Sequence, residues 1–182
     1  MTDRLVAAVR RALGYLRARF TEKVGVTAHW HVECIGADGS VKWVEEGSNL
    51  VVDTGLNAFL DYTLKGSAYT AAWYVGLTAS APTAAAGDTM SSHGGWTENV
   101  TYSESVRQTL TLGTVASKTV NNSASKAAFS INGTTTVGGA FVTSVNTKSG
   151  TTGTLLNIKA FAADRSAISG DTLNVTVTYT AS

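Results

Sequence analysis

His29, His31 and Glu33 alternate along "VGVTAHWHVEC", so an extended chain projects all three side chains from one face. Two histidines at that spacing can reach a single zinc ion, with Glu33 as the third ligand. A complete tetrahedral set needs a further partner, and the one other histidine, His93, stands far along the chain in a loop-like stretch. The set therefore reads as the polar outer face of a strand, and neither metal nor cofactor is expected. Cys34 falls on the opposite, apolar face of the same run, the place of a buried thiol rather than an exposed nucleophile. As the single cysteine it forms no internal disulfide. No Gly-x-Ser-x-Gly elbow occurs to expose a nucleophilic serine. Acid–base pairs could be drawn from Asp53, Asp61, Asp88, Glu98 and Glu104, but thirteen acids in 182 residues allow such pairings by chance. The glycine pairs Gly94-Gly95 and Gly138-Gly139 lack the following helix start of a phosphate cradle and fit turns or bulges. The expectation is a protein that is not an enzyme.

The elements that would position these residues are mostly strands. In the first run Val24, Val26, Ala28, Trp30, Val32 and Cys34 face one way and the polar residues the other, which makes a half-buried strand. "GADGS" supplies a turn and "VKWV" the returning partner of a hairpin. "DTGLNAFLDYTL" predicts a short helix, capped by Asp53 or Thr54, with Leu56, Phe59, Leu60 and Leu64 as its apolar stripe. "AAWYVGL" is a strand, with Trp73, Val75 and Leu77 on one side and Tyr74 on the other. Further strands are expected in "VTYSESVRQTLTLG", "SKAAFSING", "TVGGAFVTSV", "TLLNIKAFA" and "TLNVTVTYT". Turn clusters about every ten residues, without helical patterns between them, indicate an antiparallel β-sandwich or barrel. Residues 24–182 are assigned to this mainly β, jelly-roll-like domain.

Residues 1–23 differ in kind. Leu5, Val9, Leu13, Leu16 and Phe20 recur at helical spacing, and Arg4, Arg10, Arg11, Arg17 and Arg19 occupy the other flanks. Six basic side chains stand against two acidic ones there, while the whole chain carries only +1, so the remainder is slightly acidic. A basic amphipathic helix of this kind can pack on its own sheet, self-associate or dock on an acidic partner. The body offers no broad basic field for nucleic acid. No apolar run approaches a membrane span, and Arg10 and Arg11 interrupt the one stretch resembling an export signal, so neither membrane nor secretion is expected.

The long connection "TASAPTAAAGDTMSSHGGW" holds the single proline, and loops of such length inside a compact domain are generally functional or disordered. It is expected at a contact surface, with Pro82, His93 and Trp96 joining the five arginines as partner-contact residues. Trp96, following Gly95, is the tryptophan best placed for exposure, whereas Trp30 and Trp73 sit in core-like runs.

The segments "NLVVDTGLNAFLDY", "GSAYTAAWYVGL", "AAGDTMSSHGGWTE", "SASKAAFSINGTTTVGGAFV" and "SGDTLNVTVTYT" resemble a family of small virion proteins of tailed bacteriophages, and the "HVECIGADGSVKW" hairpin fits as well. The resemblance covers most of residues 49–182 and carries no catalytic residues. It implies a structural virion protein made in the host cytoplasm, with capsid decoration (cement) proteins as the nearest build. Under that reading the partners are the major capsid protein and further copies of the chain as a dimer or trimer, at the capsid surface. The alternative is a tail, head-fibre or receptor-binding component, an adhesin reading sugars through Trp96 and Tyr102. A third reading is a hydrolytic or metal-dependent enzyme built around His29, His31 and Glu33.

Overall fold

The computed structural model describes residues 25–67 and 72–182. The expected N-terminal helix, with Arg4, Arg10, Arg11, Arg17 and Arg19, lies outside the described residues.

Strand β1 (Val26–Ile35) turns through residues 36–40 into β2 (Val41–Ser48) as an antiparallel hairpin. The turn closes through Gly36 N–H to Ser40 O at 2.8 Å, and Asp38 Oδ1 accepts from the Ser40 amide at 2.9 Å. β1 also pairs along its whole length with the final strand β11 (Thr172–Ala181), and β7 (Thr119–Asn121) and β8 (Ala127–Ser130) share the other edge of β11. The second sheet runs β3 (Leu50–Val51), β10 (Leu155–Ala167), β9 (Thr135–Thr143), β4 (Tyr74–Thr78), β5 (Glu98–Asn99), with β6 (Gln108–Thr109) also on β4. Every strand pairing is antiparallel.

The two inner faces form one core, so the domain is the expected β-sandwich. Ala28, Trp30, Val32 and Cys34 of β1 and Leu173, Val175, Val177 and Tyr179 of β11 are buried there against Val75, Leu77, Val137, Ala140 and Val142 of the other sheet. The period-two alternation thus maps onto inside and outside for both long strands. Trp43 at the β2 edge ties the layers together. Its Nε1 donates to Ser166 O at 2.9 Å, and its ring meets Phe161 edge-on at 6.1 Å.

The second sheet is covered on its outer face too. Val52, Met90, Trp96, Phe141, Leu155 and Ile158 make a separate apolar cluster beneath the loop spanning residues 79–96. Gly138 permits this close approach: a Cβ there would lie 1.9 Å from the Ser80 carbonyl carbon. Opposite it, β10 shifts register between Ala160 and Arg165, and Asp164 in that bulge accepts the Ala81 amide at 2.8 Å. The Gly138-Gly139 pair therefore serves the packing of a loop onto a strand, beside a bulge in the neighbouring strand.

Two local expectations are corrected. Helix α1 (Asp53–Leu60) has Val52 as its N-cap with no side-chain cap bond, because Thr54 Oγ1 instead donates to Leu155 O at 2.8 Å. Its tight contact is Gly55 against the Leu156 backbone, where a Cβ would lie 2.3 Å from the carbonyl oxygen. That seating turns Phe59 toward the core and leaves Leu56, Leu60 and Leu64 exposed, so the predicted leucine stripe is not the buried face. Second, "VTYSESVRQTLTLG" is not a continuous strand: only Gln108–Thr109 pairs with β4, and residues 100–107 loop so that Tyr102 and Arg107 point inward.

Candidate functional site

The residues with metal-ligating spacing do share the outer face of β1, where His29 is exposed and His31 and Glu33 are engaged by other side chains. His31 Nδ1 lies 2.6 Å from Glu46 Oε1 on β2, the two strands being paired in register at these residues. Glu33 is claimed by the ammonium of Lys126. Among the described residues no group of three or more His, Cys, Asp and Glu side chains is placed to hold a metal ion.

Cys34 is fully buried, with Sγ 3.7 Å from Asp171 Oδ2. Burial, reinforced by the Asp171 carboxylate, pushes the thiol up to about 11, so it stays protonated and unreactive at neutral pH. Burial alone would raise the Asp171 carboxyl as well. The Lys42 ammonium at 2.6 Å and the Ile168 amide at 2.9 Å outweigh it and hold the group below the usual carboxylate range. This trio joins β1, β2 and the turn before β11.

The most elaborate polar contact is one the sequence did not single out. Arg107, its side chain 0% exposed, donates Nε and Nη2 to the two Glu98 oxygens at 2.9 and 2.8 Å. Nη1 reaches Val145 O at 2.8 Å and Nη2 reaches Gly150 O at 2.9 Å. The guanidinium carbon stands 5.1 Å over the Phe141 ring. Glu98 additionally accepts the Ser149 amide at 2.7 Å. One planar fork thus fixes β5, the loop before β6 and the loop after β9. The available signal was a lone arginine in the uncharged run "VRQTLTLG".

Pro82 and Trp96, expected in contacts, are both buried, and His93 is half-buried. The Trp96 ring meets Phe141 at a tilt with centroids 5.0 Å apart, and His93 stacks on the indole at 3.7 Å and 13°. Burial depresses the His93 imidazole, partly opposed by Asp88. The expectation of an exposed Trp96 is therefore corrected: the outer face of the second sheet is itself apolar and takes the ring. Tyr102 is 1% exposed, meeting Phe129 edge-on at 4.9 Å and carrying Lys148 Nζ 3.6 Å above its ring. A sugar platform of Trp96 and Tyr102 is thus not formed; both aromatics pack inside.

An open apolar groove lies at the end of the sandwich where β1 begins and β11 ends. A groove of about 490 Å³ runs between Phe59 and Tyr62 of the helical segment, Trp73, Leu110 and Leu112, and Val120 and Tyr179. α1 passes there into a π-helical turn (Asp61–Lys65), and Leu56, Leu60 and Leu64, 41%, 56% and 78% exposed, stand on another face of the same helical segment.

The layers and their loop-locking contacts define a structural β-sandwich module. The family model described as podophage GP4 fiber I protein gp80 matches residues 51–181, and the chain belongs to that family of phage virion proteins. The match spans α1 through β11. No curated protein matches the chain. The family description favours the fibre alternative over capsid decoration.

Proposed function

We propose that this chain is a structural component of a podophage fibre, acting by adhesion to neighbouring proteins rather than by catalysis. The observation that carries this reading is the family match over residues 51–181, which takes in α1 and strands β4 to β11 and leaves out the β1–β2 hairpin. The chemistry of the buried charged groups supports it. The buried ionisable groups Arg107, Glu98, Asp171 and Glu45 are engaged with one another, with lysine and arginine side chains or with backbone amides and carbonyls. Such contacts stiffen loops and present no converging reactive pair. A fibre module needs a rigid scaffold and surfaces for its neighbours, and repetition lets modest contacts act together. Its partners under this reading are further copies of the chain and the virion protein that seats the fibre, the major capsid protein for a fibre rooted in the head.

Gold-labelled antibody against the protein, applied to purified particles, tests the assignment together with copy counting by quantitative mass spectrometry. Label confined to fibres, at on the order of tens of copies or fewer, supports it. Label spread evenly over the head at hundreds of copies would overturn it in favour of a decoration protein.

A further inference from the structure

The groove at the β1–β11 end has a resident on offer within the same chain. Gly25 is pinned at its lip by paired backbone bonds with Ser182, Gly25 N–H to Ser182 O at 3.2 Å and Ser182 N–H to Gly25 O at 3.0 Å. Val26, Thr180 and Ala181 then form part of the groove wall. The described chain therefore begins at the groove itself, and this holds whatever virion structure the domain serves.

We propose that the apolar stripe of residues 1–23, namely Leu5, Val9, Leu13, Leu16 and Phe20, packs into this groove on its own subunit. Three observations agree. Phe20 precedes Gly25 by five residues, so it can stand no more than about 16–18 Å away. In a helix Leu16 and Leu13 follow at a rise of about 1.5 Å per residue, which lays the stripe along the groove and the exposed flank of α1. The wall is the chemical match of the stripe, being built mainly from apolar groups such as Trp73, Leu110, Leu112 and Val120, with Lys118 as its charged member. Finally, Leu56, Leu60 and Leu64 stay exposed on the helical segment whose other face, through Phe59 and Tyr62, walls the groove. That is apolar surface which a second helix would cover, and the tether supplies a high effective concentration for it. The arginines of residues 1–23 then face outward, giving the domain a basic surface at this end.

Paired cysteines in the full-length protein test the placement. Val115 lines the groove and is 69% exposed, while native Cys34 is 0% exposed and does not compete. Leu13→Cys with Val115→Cys is compared with Arg11→Cys with Val115→Cys, since residues 11 and 13 point to opposite flanks of a helix. On mild oxidation the Leu13 pair is expected to give at least tenfold more within-chain disulfide than the Arg11 pair. Equal yields, no disulfide, or disulfides between chains would overturn the proposal, the last assigning the groove to a second copy. A cysteine-free readout guards against misfolding of the variants. Hydrogen exchange at Leu112 and Val120 in the unsubstituted chain should be at least tenfold slower than in Leu13→Asp/Leu16→Asp, and unchanged exchange would count against the packing.

Discussion

Arg107→Met removes the fork that holds three loops and leaves its partners in place. The side chains of Arg107 and Glu98 are 0% and 7% exposed, so water cannot replace the lost contacts. The Glu98 carboxylate keeps the Ser149 amide but loses both guanidinium bonds, and the carbonyls of Val145 and Gly150 lose their donor. Removing one partner of a buried ion pair costs about 3–5 kcal/mol, mostly through the uncompensated charge left behind. For a domain of this size each kcal/mol lowers Tm by roughly 2–4 °C, so the expected drop is about 6–20 °C. Urea unfolding followed by tryptophan fluorescence reads this directly, because Trp30, Trp73 and Trp96 are buried. The midpoint should fall with an unchanged slope, and raising the salt should not rescue it, since a buried pair is little screened. Arg107→Lys keeps the charge without the fork and should recover only part of the loss. A loss under about 1 kcal/mol for Arg107→Met, or full stability for Arg107→Lys, would refute the reasoning.

Other expectations follow from the same contacts. Gly138→Ala drives a methyl group into the Ser80–Ala81 backbone, and overpacking of this kind costs about 1–3 kcal/mol. Hydrogen exchange should locate the damage in residues 79–96, and protection spread evenly over the domain would contradict the layered packing. His93 has a folded-state value below its ordinary 6.5, so its stabilising contribution is complete above that pH and shrinks as pH falls below it. His93→Gln should flatten that part of the stability–pH profile in a titrated thermal melt. Asp171 behaves similarly at lower pH: its depressed carboxyl contributes fully above its ordinary 3.8 and the contribution is lost on acidification below it. Asp171→Asn should therefore weaken the fold at neutral pH and blunt acid unfolding, as judged by circular dichroism.

The apolar layer outside the second sheet bears on the fibre reading. Residues 79–96 hold the longest irregular connection among the described residues, yet they contribute Met90 and Trp96 to a buried cluster and Pro82 to the covered face. The outward surface of the loop is left to small and polar residues such as Thr83, Ala85 and Ser91. A neighbour meeting this face would touch a stiff loop backed by aromatic rings, a surface that loses little conformational freedom on contact.

Period-two alternation by itself determined the long strands β1 and β11, the inward faces of Trp30 and Val175, the β1–β2 hairpin and the sandwich class. Burial of one strand face leaves a local record, because each side chain's side is set by its parity. The short helix at residue 53 was equally legible from its spacing. Which helix face is buried was not, since seating Gly55 on the Leu156 carbonyl is a contact between residues a hundred positions apart. The same holds for Trp96, which sequence context placed at a loop end and only the outer apolar face of β9 and β10 could draw inside. Arg107 reads locally as a solvated charge. Its partners Val145 and Gly150 are 38 and 43 residues away, so its burial exists only once the loops have met. Local pattern fixes which face a residue takes within its own element, and tertiary structure decides what that face finds.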